Sequence, residues 1–398
     1  MVRFRNLGRD INANPLQLRV WITDGYLGTN ENYTGPRSGI NPLVDISSHA
    51  IVDDDLIVDF NYIKPFNWSK TYEVLPETME HSSLAVIDGY IYLFGGRGSN
   101  KILKASTSDP ARFIDTESTI PENLYSSHCA VIDGYVYLFG GYIDVPVKNI
   151  YSAPVSNPLN WTDHGELLPT ELSHGSLIVY DDKIYIFGGK DYNSAVDTIF
   201  VADVSNPLSW SDTGNTLEEP LYSSQVTVIN NFFYLLGGKG LDNKPVSNIY
   251  RANASTLSFS TLSHLPYQVS DGQIFYVGND LYYITPTAHV PDGYGYQYTS
   301  QTRILYSSKI NPSLWQDSGF VIPAEVSGSQ LAIIYDRVFL YGGSGSSAIF
   351  ASDPDYIFNY SASKVQLYGE VTRTLYSATT TESEQFVVLG IPPWKTNY

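Results

Sequence analysis

The chain has 398 residues, 43% of them hydrophobic, with 23 Lys and Arg against 41 Asp and Glu, a formal net charge of −18. That length suits one large domain with appendages, and the acidic balance argues against a nucleic-acid-binding body. No run of about 20 apolar residues is present to span a bilayer, and a single cysteine, Cys129, excludes an internal disulfide.

Residues 1–45 differ in character from the remainder of the chain. Arg3, Arg5, Arg9 and Arg19 are set against one acid, Asp10, in the first 19 positions. A basic arm on an acidic body can dock to another acidic subunit or to its own, so Arg3, Arg5 and Arg9 are expected assembly contacts; an ordinary mobile terminus is the plain alternative. The first ten residues lack the apolar core of a secretory signal. Leu18-Arg-Val-Trp-Ile22 followed by Asp24-Gly25 reads as a strand and turn.

From residue 46 to 360 a repeat dominates. Ala130-Val-Ile-Asp-Gly-Tyr-Val-Tyr-Leu-Phe-Gly-Gly141 is the clearest copy, and the second glycine of each doublet falls at 96, 141, 189 and 238, in steps of 45, 48 and 49 residues. A further 47 residues lead to Thr285, where the doublet is absent, and 58 more to Gly343. A period of about 50 residues matches a four-stranded blade. Asp88-Gly89 and Asp133-Gly134 predict two-residue hairpins, whose central positions both need positive φ. The apolar run after each turn suits a strand buried on both faces. A third strand is expected at Asn149–Ala153, Thr198–Ala202 and Asn248–Ala252, and a fourth carries Trp161, Trp210 or Trp315, whose indole can fill the widening gap between blades. The Trp-x-Asp-x-Gly echo at 161, 210 and 315 predicts a turn after the outer strand.

This pattern resembles the kelch repeat family, carried by the doublets at 95–96, 140–141, 188–189, 237–238 and 342–343 and by the downstream tryptophans. The resemblance implies an all-β fold, a kelch-type β-propeller closed around a central channel. Ser47-Ser-His-Ala-Ile-Val-Asp53 and Pro65-Phe-Asn-Trp68 echo a repeat in outline. Seven blades are therefore preferred to six; with six, segment 63–76 donates an outer strand to the last blade and closes the ring.

Candidate chemistry is sparse. His81 and His174 stand seven residues before Asp88 and Asp181, and Ser126 and Ser223 hold the same place before Asp133 and Asn230, with His49 and His128 slightly later. These positions should ring one end of the channel, as a polar rim rather than a metal site, because histidines from non-adjacent blades rarely converge within a metal's bond length. Kelch-type propellers include a copper radical oxidase, but no matching Cys–Tyr and His set assembles here, and no metal or cofactor is expected. No phosphate-binding loop, His-Glu-x-x-His or Gly-x-Ser-x-Gly is present, so no catalytic role is assigned. Cys129 reads as a small buried hydrophobe.

The insertion Pro286–Thr299 explains the long fifth step, and its alternating Tyr294, Tyr296 and Tyr298 form a candidate contact surface. Residues 361–398 depart from the repeat, with short strands expected at 365–368, 374–376 and 385–389 and an apolar Trp394 near the end as an assembly contact. The expected function is a non-enzymatic structural or binding module with protein partners in a large assembly. Its concrete form is a virion component of a bacteriophage, since the Asn-Pro-Leu-x-Trp repeats look similar to kelch-like proteins of environmental viruses and microbes. Carbohydrate binding or action at a surface glycan is the alternative, and a cytoplasmic location the alternative to the virion.

Overall fold

The computed structural model describes residues 68–352 with their side chains, apart from 277–279, 287–301, 323 and 336. It also describes the backbone of short strands at 2–5, 20–23, 26–29, 44–52, 55–62, 289–291, 296–298, 369–372 and 383–386. The chain divides into two units, Met1–Pro65 with Asp355–Tyr398, and Phe66–Pro354.

In the second unit six antiparallel sheets succeed one another, each begun by an inner strand: Ser83–Ile87, His128–Ile132, Ser176–Tyr180, Gln225–Ile229, Gln273–Val277 and Gln330–Ile334. The first five inner strands touch in series, and the sixth touches the first. The fifth and sixth blades are joined by Gln273 Nε2, which donates to Ser329 O at 2.8 Å. The fold is a six-bladed β-propeller. The second blade is typical: His128–Ile132, Tyr135–Phe139, Asn149–Pro154 and Thr162–Glu166, paired in chain order. The sixth differs. Its three own strands end at Ala348–Ser352, and the outer place is taken by Trp68–Val74, with Ser352 opposite Trp68 and Ala348 opposite Val74. The preferred count of seven is thus corrected to six, with the ring closed by the early strand. The segment resembling a seventh inner strand, with His49, lies in Val44–Val52 of a three-stranded sheet in the first unit.

The hairpin expectation holds in detail. Asp88 and Gly89 have φ of 47° and 76°, and Asp133 and Gly134 45° and 81°. The left-handed pair matches the strand twist and lets the hairpin close in two residues.

The continuous apolar second strand serves two joints at once. Along Tyr135–Phe139, Val136 and Leu138 enter the cluster shared with the first blade, and Tyr137 and Phe139 enter the cluster shared with the third. Alternation with period two sends successive side chains to opposite faces, so a strand between two blades must be apolar throughout. Each buried Phe or Leu contributes about 1.5–3 kcal/mol. The core is therefore a set of wedges between blades.

Large aromatics seal the outer end of these wedges. Trp161 meets Phe94 of the preceding blade at 5.0 Å and Trp210 meets Phe139 at 5.1 Å, both edge to face. Phe113 against Tyr341 and Phe259 against Phe187 hold the same place in two blades where no tryptophan marks it. Trp210 and Trp315 donate Nε1–H to the carbonyls of Pro207 and Pro312. The Asp-x-Gly beyond each tryptophan makes a bulge inside the outer strand, not a turn after it: Asp212 Oδ1 accepts the Gly214 N–H at 2.8 Å within Asn206–Thr216. The register slips there between Thr198 and Phe200 on the partner strand.

The glycine doublets join the blades. A Cβ on Gly188 would lie 2.2 Å from the carbonyl oxygen of Leu221 in the next blade, while the Gly189 N–H donates to that oxygen at 2.8 Å. The same contact recurs at Gly95-Gly96 with Leu124, Gly140-Gly141 with Leu172, Gly237-Gly238 with Val269 and Gly342-Gly343 with Met79. Between the fifth and sixth blades, where Thr285-Pro286 replaces the doublet, the Thr302 hydroxyl instead donates to Ala324 O at 2.6 Å.

In the first unit, Val2–Arg5 pairs with Asp55–Tyr62, placing Arg3 opposite Ile57 and Arg5 opposite Asp55. Val20–Thr23 pairs with Tyr26–Thr29, and Gly369–Thr372 with Ser383–Phe386. Arg9, Trp394 and the expected strands at 365–368 and 374–376 lie outside the described residues.

Gly188→Ala is expected to destabilise the propeller by about 3 kcal/mol or more, through a backbone clash at φ 57°. Gly214→Ala, at φ 75° with no neighbour within 4 Å, should cost only about 1–2 kcal/mol. Chemical denaturation of both variants checks this; equal losses would refute the clamp.

Candidate functional site

One residue per blade sits in the left-handed region, in five of the six blades two positions after the carbonyl gripped by a doublet. His81, Ser126, His174, Ser223, Asp271 and Gly328 have φ of 54°, 51°, 56°, 55°, 56° and 68°. Five backbone bonds join them in series around the centre: His81 N–H donates to Gly328 O at 2.8 Å, Ser126 to His81, His174 to Ser126, Ser223 to His174 and Asp271 to Ser223. The sequence-marked His81, Ser126, His174 and Ser223 thus do share one end of the channel, joined by Asp271 and Gly328. The residue after each is Ser or Gly, because the second glycine of a doublet packs on it; a Cβ on Gly141 would sit 2.9 Å from that of Ser127.

A second tier forms the mouth. The residue after each doublet bridges back to the residue preceding the ring position: Tyr142 to Tyr125, Lys190 to Ser173 and Lys239 to Tyr222, and Arg97 N–H to Glu80 O. Side chains of the two tiers then interlock. Lys239 Nζ lies 2.6 Å from Asp271 Oδ2, which also accepts the Ser270 hydroxyl at 2.9 Å. Arg97 and Glu80 pair at 3.7 Å. The His81 and His174 rings meet edge to face at 5.5 Å, with Tyr125 and Tyr222 against His174. His81 also packs on the bare Cα of Gly328, where a Cβ would come within 2.7 Å of its ring.

Burial sets the protonation of this group. Desolvation, helped by the neighbouring His81, pushes His174 down to about 3, and desolvation lowers His81 as well. Desolvation pushes Asp271 upward, but Lys239 and His81 more than offset it and hold the carboxyl at about 2. At neutral pH both imidazoles are uncharged and Asp271 is a carboxylate.

His174 Nε2 lies 2.9 Å from Ser126 Oγ, and its Nδ1 lies 3.0 Å from Ser173 Oγ. A serine, a histidine and an orienting hydroxyl in series have the connectivity of an activated nucleophile. An imidazole held at about 3 is, however, a poor base at neutral pH. The Ser126 N–H is also already bonded to His81 O at 2.8 Å. The series acts as a fixed hydrogen-bond chain that orients His174.

His128 lies one tier deeper, its Nδ1 2.8 Å from Phe139 O and its Nε2 buried against Gly175, with burial lowering it to about 4. Cys129 is next to it in the inner strand, half-buried against apolar neighbours that push the thiol up to about 12. Among the described residues no group of three or more His, Cys, Asp or Glu is placed to hold a metal ion. At the opposite, turn end of the inner strands a cavity of about 590 Å³ is lined mainly by Ile178, Val226, Val228, Ile274 and Tyr276. Thr227, Asn230 and Lys309 add polar groups to its wall.

Of the expected contact tyrosines, Tyr296 and Tyr298 lie in a hairpin strand that pairs with His289–Pro291, which in turn adds to the outer edge of the fourth blade through Gln268. Tyr294 is outside the described residues. Sequence reasoning missed Asp271, Gly328, Arg97, Lys190 and Lys239. Position after the doublet would have found the three cations. Asp271 stands seven residues before Gly278, but that turn lacks the leading Asp or Asn that marked the other copies.

No family model matches the sequence, and no curated protein matches it. Among solved structures, that of YjhT matches over 70% of this chain and 95% of its own, with a TM-score of 0.56 at 13% sequence identity. A likeness at this identity is one of fold, and it agrees with the propeller seen in the sheet order.

The buried histidine makes stability depend on pH. The unfolded chain protonates His174 near 6.5 and the folded chain only near 3, so its contribution to stability is complete above about 6.5 and is lost as pH falls towards 3. The Asp271 contribution is lost only as pH falls from 3.8 towards about 2. The thermal midpoint should fall between pH 6.5 and 4, and His174→Gln should make that fall shallower; an unchanged slope would refute the assignment.

Proposed function

We propose that the protein is a non-enzymatic binding propeller of kelch type, serving as a component of a large assembly such as a virion, with the ring and mouth as its recognition face. The observation that carries the binding role is the contrast between frame and side chains. Six positions share one backbone conformation, yet hold His81, Ser126, His174, Ser223, Asp271 and Gly328. The frame repeats from blade to blade, and the side chains it carries differ. Rigid scaffolds carrying individual surface residues are the usual setting for recognition. Support for a place in an assembly comes from the separate unit of residues 1–65 and 355–398 and from the repeat's resemblance to viral and microbial kelch-like sequences. The weak base at His174 supports the non-enzymatic reading.

Glycan binding is the second reading. The mouth combines Tyr125, Tyr142 and Tyr222 with polar partners, and the Tyr125 and Tyr142 rings meet at 5.1 Å. Tyrosine offers a sugar an apolar face beside a hydroxyl at little entropic cost.

Native mass spectrometry and particle composition test the first reading: the protein is expected at stoichiometric copy number in a large particle. A strict monomer absent from every such particle removes the virion role. For the second, a glycan array is run with wild type, Tyr222→Ala and Tyr296→Ala. Loss in Tyr222→Ala places a sugar at the mouth, loss in Tyr296→Ala places it at the insertion, and silence on every glycan class removes the glycan reading.

A further inference from the structure

The Tyr222 ring carries two ammonium groups, Lys190 Nζ at 5.4 Å and Lys239 Nζ at 5.7 Å from its centroid. Only one has a counter-charge. Lys239 is paired with Asp271 at 2.6 Å, and the remaining mouth acid, Glu80, is paired with Arg97. Lys190 makes no ion pair among the described residues. Asp191 beside it is committed elsewhere, its Oδ1 accepting the N–H groups of Asn193 and Ser194, both at 2.7 Å. Asp242, in the next loop, pairs with Lys244 at 3.3 Å, and Asp144 is an exposed loop residue.

Both ammonium groups thus lie near one ring, and Lys190 has no anion of its own among the described residues. Its position is also unusual for a protein with a net charge of −18, where surface cations have acids in easy supply. The neighbouring donors suit the same ligand. His81 is neutral and carries one N–H, and its ring makes no hydrogen bond among the described residues while packing at its edge on Gly328, whereas both ring nitrogens of His174 are taken by Ser126 and Ser173. The raised Tyr222 hydroxyl is un-ionised and directed to Asn243 Oδ1 at 2.9 Å, leaving the ring face as a platform.

We infer that the mouth binds an oxyanion, a carboxylate or a phosphate carried on a small polar ligand, with Lys190 as its principal counter-charge, Lys239 as the second cation and the Tyr222 ring as the floor beside it. The inference rests on the reading of the mouth as a recognition face and adds the charge of what is recognised. An exposed ammonium contributes modestly by itself, so the ligand's polar body must supply the rest through Tyr125, Tyr142 and the His81 imidazole.

The test is calorimetric titration of the full chain with sodium glucuronate, acetate, inorganic phosphate and glucose, at low and at physiological salt, repeated with Lys190→Gln. That variant removes a part-exposed charge with no partner, and thermal melting confirms that it folds. Binding of glucuronate or phosphate, weakened by salt and about three- to fivefold by Lys190→Gln, is the expected result. Phosphate binding with glucuronate and acetate silent assigns a phosphate ester, and the reverse assigns a carboxylate. Equal binding of glucose and glucuronate would overturn the inference and leave the glycan reading standing. Anion binding unaffected by Lys190→Gln, or no binding of any anion, would overturn it as well, while the particle measurement judges the assembly role separately.

Discussion

A single backbone contact, repeated at five of six joints, governs this propeller: a carbonyl of one blade rests on the bare Cα of a glycine in its neighbour and accepts the N–H of the next glycine. Neither half tolerates a side chain. The contact fixes how far each blade advances and how it is rotated against the last. Two residues beyond the gripped carbonyl stands the ring position, so the geometry of the mouth is a direct consequence of the joint. At the one joint without the doublet, the Thr302 hydroxyl donates to a different carbonyl, that of Ala324, and the paired strands His289–Pro291 and Tyr296–Tyr298 follow Thr285 in the chain.

Around these joints the apolar side chains do the bulk of the stabilising. Because Val136 and Leu138 belong to one wedge and Tyr137 and Phe139 to the next, no blade owns its core, and removing one would expose the faces of two. Backbone bonds, serine hydroxyls and a few charged pairs satisfy most of the polar groups at the centre, leaving the Ser82 hydroxyl and His128 Nε2 buried without a partner among the described residues. The neutral imidazoles of His81 and His174 and the ionised Asp271 are the electrostatic outcome of that crowding.

Much of this is legible in the chain itself. Asp88-Gly89 and the glycine doublets carry their backbone geometry in residue type, since few other residues adopt it, and the tryptophans at 161 and 210 announce the wedges they fill. Phe113 and Phe259 do the same work without announcing it, because a phenyl ring at that place looks like any apolar residue. The blade count was open because the strand that completes the sixth sheet resembles the tail of a repeat of its own. Asp271 and Gly328 were invisible for a different reason: left-handed backbone at those positions is imposed by the series of hydrogen bonds, a long-range property that His, Ser and Asp do not signal locally. The cations at 97, 190 and 239 were overlooked because each lies in a loop that varies between repeats.

The early strand Trp68–Val74 completes a sheet whose other members lie near the far end of the propeller sequence, and its Thr71 hydroxyl reaches the carbonyl of Ile349 across a separation of 278 residues. That pairing can form only after the intervening blades have been synthesised and stacked. Chain entropy opposes such a distant closure until local order has shortened the search. The first part of the propeller sequence must therefore wait, with an unpaired strand edge, for the last to arrive. Assembly of the ring becomes an all-or-none event late in biogenesis, and a truncated or stalled polypeptide would present open sheet edges of the kind that invite aggregation.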